Sequence, residues 1–183
     1  MDDVSVGYIG RDIDYYNNIN TSINFHIYIA KYKILIYNKN MEIDTKVIEF
    51  KTYDNLPQEA RNIRIEVFVK EQGFEYEFDS FDEQATHILA FDNDKAVATC
   101  RYYYQDGYYL IGRIAVIKEY RGLGLGAILL EFSKNEIAKL GGKEIRIHAQ
   151  KRVQGFYQKQ GYESFGEIDY DEGCEHVWMR KSL

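Results

Sequence analysis

Tyr108-Tyr109-Leu110-Ile111-Gly112-Arg113-Ile114-Ala115-Val116-Ile117, followed three residues later by Arg121-Gly122-Leu123-Gly124-Leu125-Gly126, is the stretch that decides the fold. The first ten residues read as a β-strand, rich in aromatic and β-branched side chains. The glycine run then leads directly into Leu125, Ile128, Leu129, Phe132, Ile137 and Leu140, which fall on one helical face that Gly141-Gly142 ends. A glycine-rich turn opening a helix points several free backbone N–H groups outward, and the helix dipole adds partial positive charge there. Such a turn is a cradle for phosphate or pyrophosphate.

Two nucleotide-binding readings fail. A P-loop needs Gly-Lys-Ser/Thr after the turn, and this chain has Gly126-Ala127-Ile128. A dinucleotide fingerprint can be forced from Gly122, Gly124 and Ala127, but antiparallel strands precede it and too little chain follows for the rest of such a domain. The bland alternative is a tight strand-to-helix connection, yet glycines at alternate positions exceed what a turn requires.

Outward from this unit the pattern is that of an alternating α/β domain. Upstream, Thr45–Lys51 reads as a strand, and Leu56, Ala60, Ile63 and Val67 follow at helical spacing with Pro57 in the first turn. Ile63, Ile65, Val67 and Val69 also alternate, but Gln58, Glu59, Ala60, Arg61, Arg64 and Glu66 are good helix formers and favour the helix. Ala85–Phe91 and Ala96–Tyr104 predict a hairpin turning at Asp92-Asn93-Asp94, and the short connections imply antiparallel pairing. Downstream, Lys143–Ala149 predicts a strand, Val153–Gln160 a short helix, and Tyr162–Arg180 two strands around Asp171-Glu172-Gly173. The first 40 residues differ: they are rich in Ile, Asn and Tyr, and their four acids balance four bases. We divide the chain into an N-terminal extension, 1–40, and a single mixed α/β domain, 41–183. The extension is either an added hairpin, Phe25 to Ile36 alternating as in strands, or dispensable; the second is preferred because nothing before Met41 resembles a site.

Composition limits the function. At 183 residues, 45% hydrophobic and 28% charged, the chain is long enough for one sizeable core and is neither disordered nor low in complexity. No run approaches the roughly 18 apolar residues of a membrane span, so a soluble protein with no membrane partner is expected. A net charge of −6 counts against a nucleic-acid partner. Asp2 and Asp3 stand where a secretory signal carries bases, and two cysteines make no disulfide scaffold, so a cytoplasmic location is expected. Cys174 and His176 without a second ligand pair fall short of a zinc site, so no metal is expected. Cys100, inside a predicted strand, reads as a small buried hydrophobe.

Arg121-x-x-Gly124-x-Gly126 resembles the R/Q-x-x-G-x-G/A signature of the GNAT superfamily of acetyl-CoA-dependent N-acetyltransferases. The strand Ile111–Val116 before it, and Gly155-Phe156-Tyr157 followed by Gly161-Tyr162 after it, fall in that family's order. The resemblance spans roughly residues 44–181. Val67–Gly73, Asp82–His87, His148-Ala149-Gln150 and Gly173–His176 resemble, more narrowly, a small bacterial branch.

The resemblance implies a central mixed, mostly antiparallel sheet flanked by helices, with acetyl-CoA as co-substrate. It implies that Arg121, Gly122, Gly124 and Gly126 form the pyrophosphate loop. Ile114, Ala115 and Val116 would pair with the pantetheine arm and donate to the thioester carbonyl, a preorganised donor worth about 10²–10³ in rate. Tyr157 matches a tyrosine that protonates the leaving thiolate, and Phe156 packs under the cofactor or in the core. The chain has 17 tyrosines, so packing alone is the rival reading for Tyr157.

The general base stays open. Gly112, Arg113 and Ala115 offer no carboxylate. Glu71, Glu75, Glu77, Asp79, Asp82 and Glu83 form an acidic segment without a base among them, either an amine-attracting cluster or a solvated loop. His87, His148 and His176 are further candidates, each with a structural reading beside it. The expected function is acetyl transfer to a primary amine, the acceptor being a small molecule or a peptide. A non-catalytic acyl-CoA-binding module and a ligand-free interaction domain are the alternatives. Oligomeric state is open, dimers being the commonest assembly.

Overall fold

Two-residue turns dictate most of the architecture. Asn93-Asp94, Asp106-Gly107 and Glu172-Gly173 each carry residues at positive φ (Asn93 53°, Asp106 49°, Gly107 92°, Glu172 46°, Gly173 77°). Turns of this hand match the twist of the flanking strands and close tight antiparallel hairpins. The computed structural model describes the backbone of residues 6–7, 14–17, 28–37 and 43–183, and side chains from residue 46 onward. Its strands are β1 (Val6–Gly7), β2 (Asp14–Asn17), β3 (Tyr28–Tyr37), β4 (Ile43–Tyr53), β5 (Thr86–Asp92), β6 (Lys95–Gln105), β7 (Tyr108–Val116), β8 (Glu144–Gln150), β9 (Glu163–Asp171) and β10 (Cys174–Ser182). Its α-helices are α1 (Gln58–Arg64), α2 (Leu125–Lys139) and α3 (Gln154–Lys159).

All described strands belong to one mixed, mostly antiparallel sheet in the order β1-β3-β4-β5-β6-β7-β8-β10-β9, with β2 also on β3. Between β7 and β8 the pairing is parallel, and it covers only Tyr109 with Ile145 and Leu110 with Arg146. The expected division at residue 41 turns on residues 1–40, most of which lie outside those described; β3 pairs with β4 from Ile29↔Lys51 to Tyr37↔Ile43.

Helices cover both faces of the sheet centre. Ala60, Ile63 and Val67 pack on Leu89, Phe91 and Ala115. The α2 residues Leu125, Leu129, Phe132 and Ile137 pack on Ile88, Ala90, Ile111 and Ile147 on the other face. Successive strand residues point to opposite faces, so both sets are buried, and Ile88–Phe91 is a continuous apolar run. The predicted helix at 56–67 forms, then widens into a π-helix over Ile65–Lys70, where the Glu71 N–H donates to the Glu66 carbonyl at 3.1 Å. Leu140 departs from its expected place on the buried face. It is the C-terminal cap of α2, where the chain leaves the helical path, and it is 60% exposed. Among the described residues no helix is long and apolar enough to cross a membrane.

Candidate active site

The parallel pair is where the site opens. Pairing stops at Leu110 and Arg146, while β7 runs on to Val116 and β8 to Gln150, so no β8 residue bonds to Ile114–Val116. A bulge sits just before this free segment: Thr99 pairs with Ala115 and Arg101 with Gly112, so two steps on β6 face three on β7. Arg113 takes the extra residue's strained conformation, φ 54°. A cleft of about 610 Å³ lies along the free segment, lined by Ile114, Ala115 and Val116, the glycine loop and α3.

Gly124 forms the N-terminal cap of α2 at φ 74°, a left-handed conformation costly for residues with a Cβ. A Cβ built there would meet nothing within 4 Å, so open space stands over the loop. Arg121 turns back along the loop: its Nε donates to the Val116 carbonyl at 2.8 Å, and its guanidinium pairs with Glu71 at 2.8 Å. The loop thereby ties β7 to the end of the π-helix. Phe156 lies beneath it, its ring edge 3.4 Å from where a Cβ on Gly126 would stand.

Tyr157, from α3, lies between this cleft and a second, smaller chamber of about 170 Å³ and lines both. Burial pushes its phenol above the ordinary value, with Cys100 adding to the effect. Cys100 is itself buried and pushed up to about 12 by that burial, the small core residue its strand position predicts.

The second chamber shares Gln72, Ile114, Arg152, Val153 and Tyr157 with the first, and its remaining walls include Glu77, Arg113, His148 and His176. Neither reading of the acidic segment describes Glu77, Asp79 and Asp82, which are tied up in a buried ionic network. Arg64, 1% exposed, donates to Glu77 Oε1 and Asp82 Oδ1, each at 2.6 Å. Arg101 donates to Asp82 at 2.6 Å and to both Asp79 oxygens at 2.7 Å. Arg113 donates to the Glu77 carbonyl and to Asp79, both at 3.1 Å, which anchors the strained bulge. Burial opposes the Asp82 charge, but the hydrogen bonds and charges of Arg64 and Arg101 win and hold its carboxyl down at about 2. Burial pushes Glu77 up, only partly offset by Arg113 and Arg64. His87 lies apart from both chambers, bonded to the Asp82 carbonyl at 3.0 Å and held neutral by burial. Among the described residues no group of three or more His, Cys, Asp or Glu could hold a metal ion.

Residues 53–183 match the family described as the acetyltransferase (GNAT) domain. The chain belongs to the GNAT family. YjcF of Bacillus subtilis, an uncharacterized N-acetyltransferase, is 35% identical over 127 residues, 68% of this chain and 91% of its own. Escherichia coli ElaA superposes with a TM-score of 0.67 at 27% identity, over 73% of this chain and 99% of its own. A GNAT acetyltransferase of Elizabethkingia anophelis, solved with acetyl-CoA bound, shares the fold at TM-score 0.58 and 18% identity, over 74% and 98% of the two chains.

One cluster at the junction of the two chambers had no role assigned to it from the sequence. Gln72 and Arg152 touch both chambers, and the Arg152 guanidinium donates to the Gln72 amide oxygen at 2.8 Å, across 80 residues of chain. Gln150 donates to the same oxygen at 3.0 Å, so three side chains from two segments meet at the junction. Gln72 and Gln150 belong to the quoted Val67–Gly73 and His148–Gln150 segments, which carried no role for either side chain, and Arg152 lies two residues beyond the second. The buried partners of Glu77, Asp79 and Asp82 carried no signal, because the three arginines lie in three other elements.

Proposed function

We propose that this chain moves an acetyl group from acetyl-CoA to a primary amine by direct transfer. One observation carries the reading: Ile114 and Tyr157 line both the cleft that ends at the glycine loop and the chamber on its far side, so two ligands can meet at one point. The loop supports the cofactor end, with Arg121, Gly122, Gly124 and Gly126 placed for a pyrophosphate beside the positive end of α2. The fit is good because the cradle carries no Cβ at Gly124 and open space lies above it. Ile114, Ala115 and Val116 have no partner on β8, which leaves that edge free to pair with an extended pantetheine arm and to aim an N–H at a carbonyl oxygen. Acetyl-CoA supplies the activated acyl group, and the relative solved with acetyl-CoA on the same fold supports that choice. Tyr157 supplies a proton to the departing sulfur, its phenol kept protonated by burial, while Phe156 floors the cofactor end.

Calorimetry with acetyl-CoA and an amine panel followed by free-thiol release test the proposal. Saturable binding with amine-dependent thiol release is the expected result. Binding without release from any amine would leave an acyl-CoA-binding module, and no binding at millimolar ligand would end both readings.

A further inference from the structure

His148 is the one ring of the smaller chamber's wall that is both reachable and wired to an acid. Its Nε2 lies 2.7 Å from Asp169 Oδ1, and its side chain is 26% exposed. A carboxylate oxygen only accepts, so Nε2 carries the hydrogen and the neutral ring keeps its lone pair on Nδ1. No described residue bonds to Nδ1. The ring stacks on Trp178 at 4.6 Å and lies 4.7 Å from His176, whose own Nδ1–H donates to the Cys174 carbonyl at 2.9 Å. An indole face favours a cation above it, and a carboxylate on the far nitrogen does the same. The bond from His148 holds the Asp169 carboxyl below its ordinary value, so it stays ionised. His176 lines the same chamber but is 5% exposed, its ring covered by its neighbours.

We propose that His148, oriented by Asp169, is the base that takes the proton from the acceptor's ammonium group; the proposal rests on the acetyl-transfer reading above. The ammonium N–H bond breaks and its proton goes to Nδ1, which frees the nitrogen lone pair to form the C–N bond. As the C–S bond breaks, Tyr157 lends a proton to sulfur, and the second amine proton restores the phenol. The imidazolium returns its proton to water, so one proton is released per acetyl group moved. The titratable and charged groups around His148 are Asp169, bonded to it, and those that line the chamber with it: Asp171 of β9, His176 of β10, Glu172 of the turn between them, and Tyr76, Glu77, Arg113, Arg152 and Tyr157. Glu77 is matched by Arg64 and Arg113, so among the described residues the chamber's negative charge without a cationic partner lies with Asp171 and with Glu172, whose carboxylate accepts from the Glu75 and Tyr76 backbone N–H groups at 2.6 and 3.0 Å, on the side where an ammonium would be drawn in.

The test uses the full chain. Long-range ¹H–¹⁵N spectra of the protein alone read the ring directly: the expected result is a neutral ring with its hydrogen on Nε2 and none on Nδ1. A neutral ring with its hydrogen on Nδ1 overturns the proposal. Kinetically, the best acceptor from a panel of monoamines, diamines, aminosugars and peptide N-termini is compared with methoxyamine, which is already neutral at neutral pH. His148→Gln should lower kcat/KM for the alkylamine by about 10²–10⁴ and abolish the acid limb of its pH profile, with acetyl-CoA affinity kept and methoxyamine far less affected. Equal loss with both acceptors, or an unchanged profile, overturns it. Asp169 is 49% exposed, so Asp169→Asn guards against a folding artefact. It should move the acid limb to lower pH, because an amide does not stabilise the imidazolium, and an unmoved limb counts against the proposal. A wild type that binds acetyl-CoA but releases thiol with no acceptor overturns the acetyl-transfer reading and this role with it, an outcome distinct from loss confined to the variants.

Discussion

Tyr157 illustrates how one side chain can be buried without being bound. It is 7% exposed, its ring makes edge contacts with Phe156 at 5.0 Å and Tyr162 at 6.2 Å, and its hydroxyl has no hydrogen-bond partner among the described residues. Tyr157→Phe therefore removes no internal bond, and the melting temperature and acetyl-CoA KM should hardly change. If the phenol protonates the thiolate, kcat should fall by about 10²–10⁴. Because burial pushes the phenol up, the wild-type rate should also persist past pH 10, the ordinary phenol value, before phenol deprotonation cuts it off. Turnover of the variant within a few-fold of wild type, in steady-state thiol release, would leave Tyr157 a packing residue. Gly124 is the complementary case, a backbone position where a side chain is the intrusion. Gly124→Ala must hold a Cβ at φ 74°, at a cost of about 1–2 kcal/mol in urea unfolding, and places that carbon in the proposed phosphate cradle. Calorimetric affinity for acetyl-CoA should fall with it, and wild-type affinity in the folded variant would remove the cradle.

The bulge in β7 shows how an element keeps a shape that its own residues disfavour. Arg113 at positive φ re-aims the strand just before Ile114–Val116, and the Glu77 carbonyl and Asp79 hold its guanidinium in place. Those two groups are fixed in turn by Arg64 and Arg101 from α1 and β6. Arg64→Met deletes a fully buried cation and leaves Glu77 with Arg113 alone and Asp82 with Arg101 alone, so unfolding free energy should drop by about 3–5 kcal/mol in urea titration. A loss under about 1 kcal/mol, the range of exposed ion pairs, would show that the network is not desolvated as the structure has it.

Across the whole molecule the buried ionic groups set the response to acid. His87 is held neutral by burial, so the unfolded chain takes up its proton first and stability should begin to fall as pH drops below about 6.5. Asp82 sits at about 2 against an ordinary 3.8, and Asp79 is also lowered. A depressed carboxyl contributes stability that is present above its unfolded value and lost as pH falls towards its folded one. The steeper loss should therefore come between about pH 4 and 2. Glu77, pushed up by burial, has the opposite sign and does not produce that drop. Thermal melts from neutral pH to pH 2 read both phases, and a flat melting temperature between pH 4 and 2 would contradict the Asp82 assignment.

What the sequence determined by itself is local in origin. Asn93-Asp94, Asp106-Gly107 and Glu172-Gly173 set hairpins because their conformations suit the turn. The Gly122–Gly126 run set a loop opening a helix, and the spacing of Ala60, Ile63 and Val67 set a buried helical face. Each depends on residues within a few positions of one another. Tertiary structure alone decided which charges are free and which rings are wired. Glu71–Glu83 read as one acidic segment, yet Arg64, Arg101 and Arg113 arrive from α1, β6 and β7 to neutralise its middle. His148 became distinct from His87 and His176 only when β9 brought Asp169 to its Nε2 from 21 residues away. Leu140 left its predicted face because the chain turns out of α2 at that residue. Ion pairing and burial depend on distances of a few ångströms between segments remote in the chain, which strand register and helix packing fix and which no local pattern encodes.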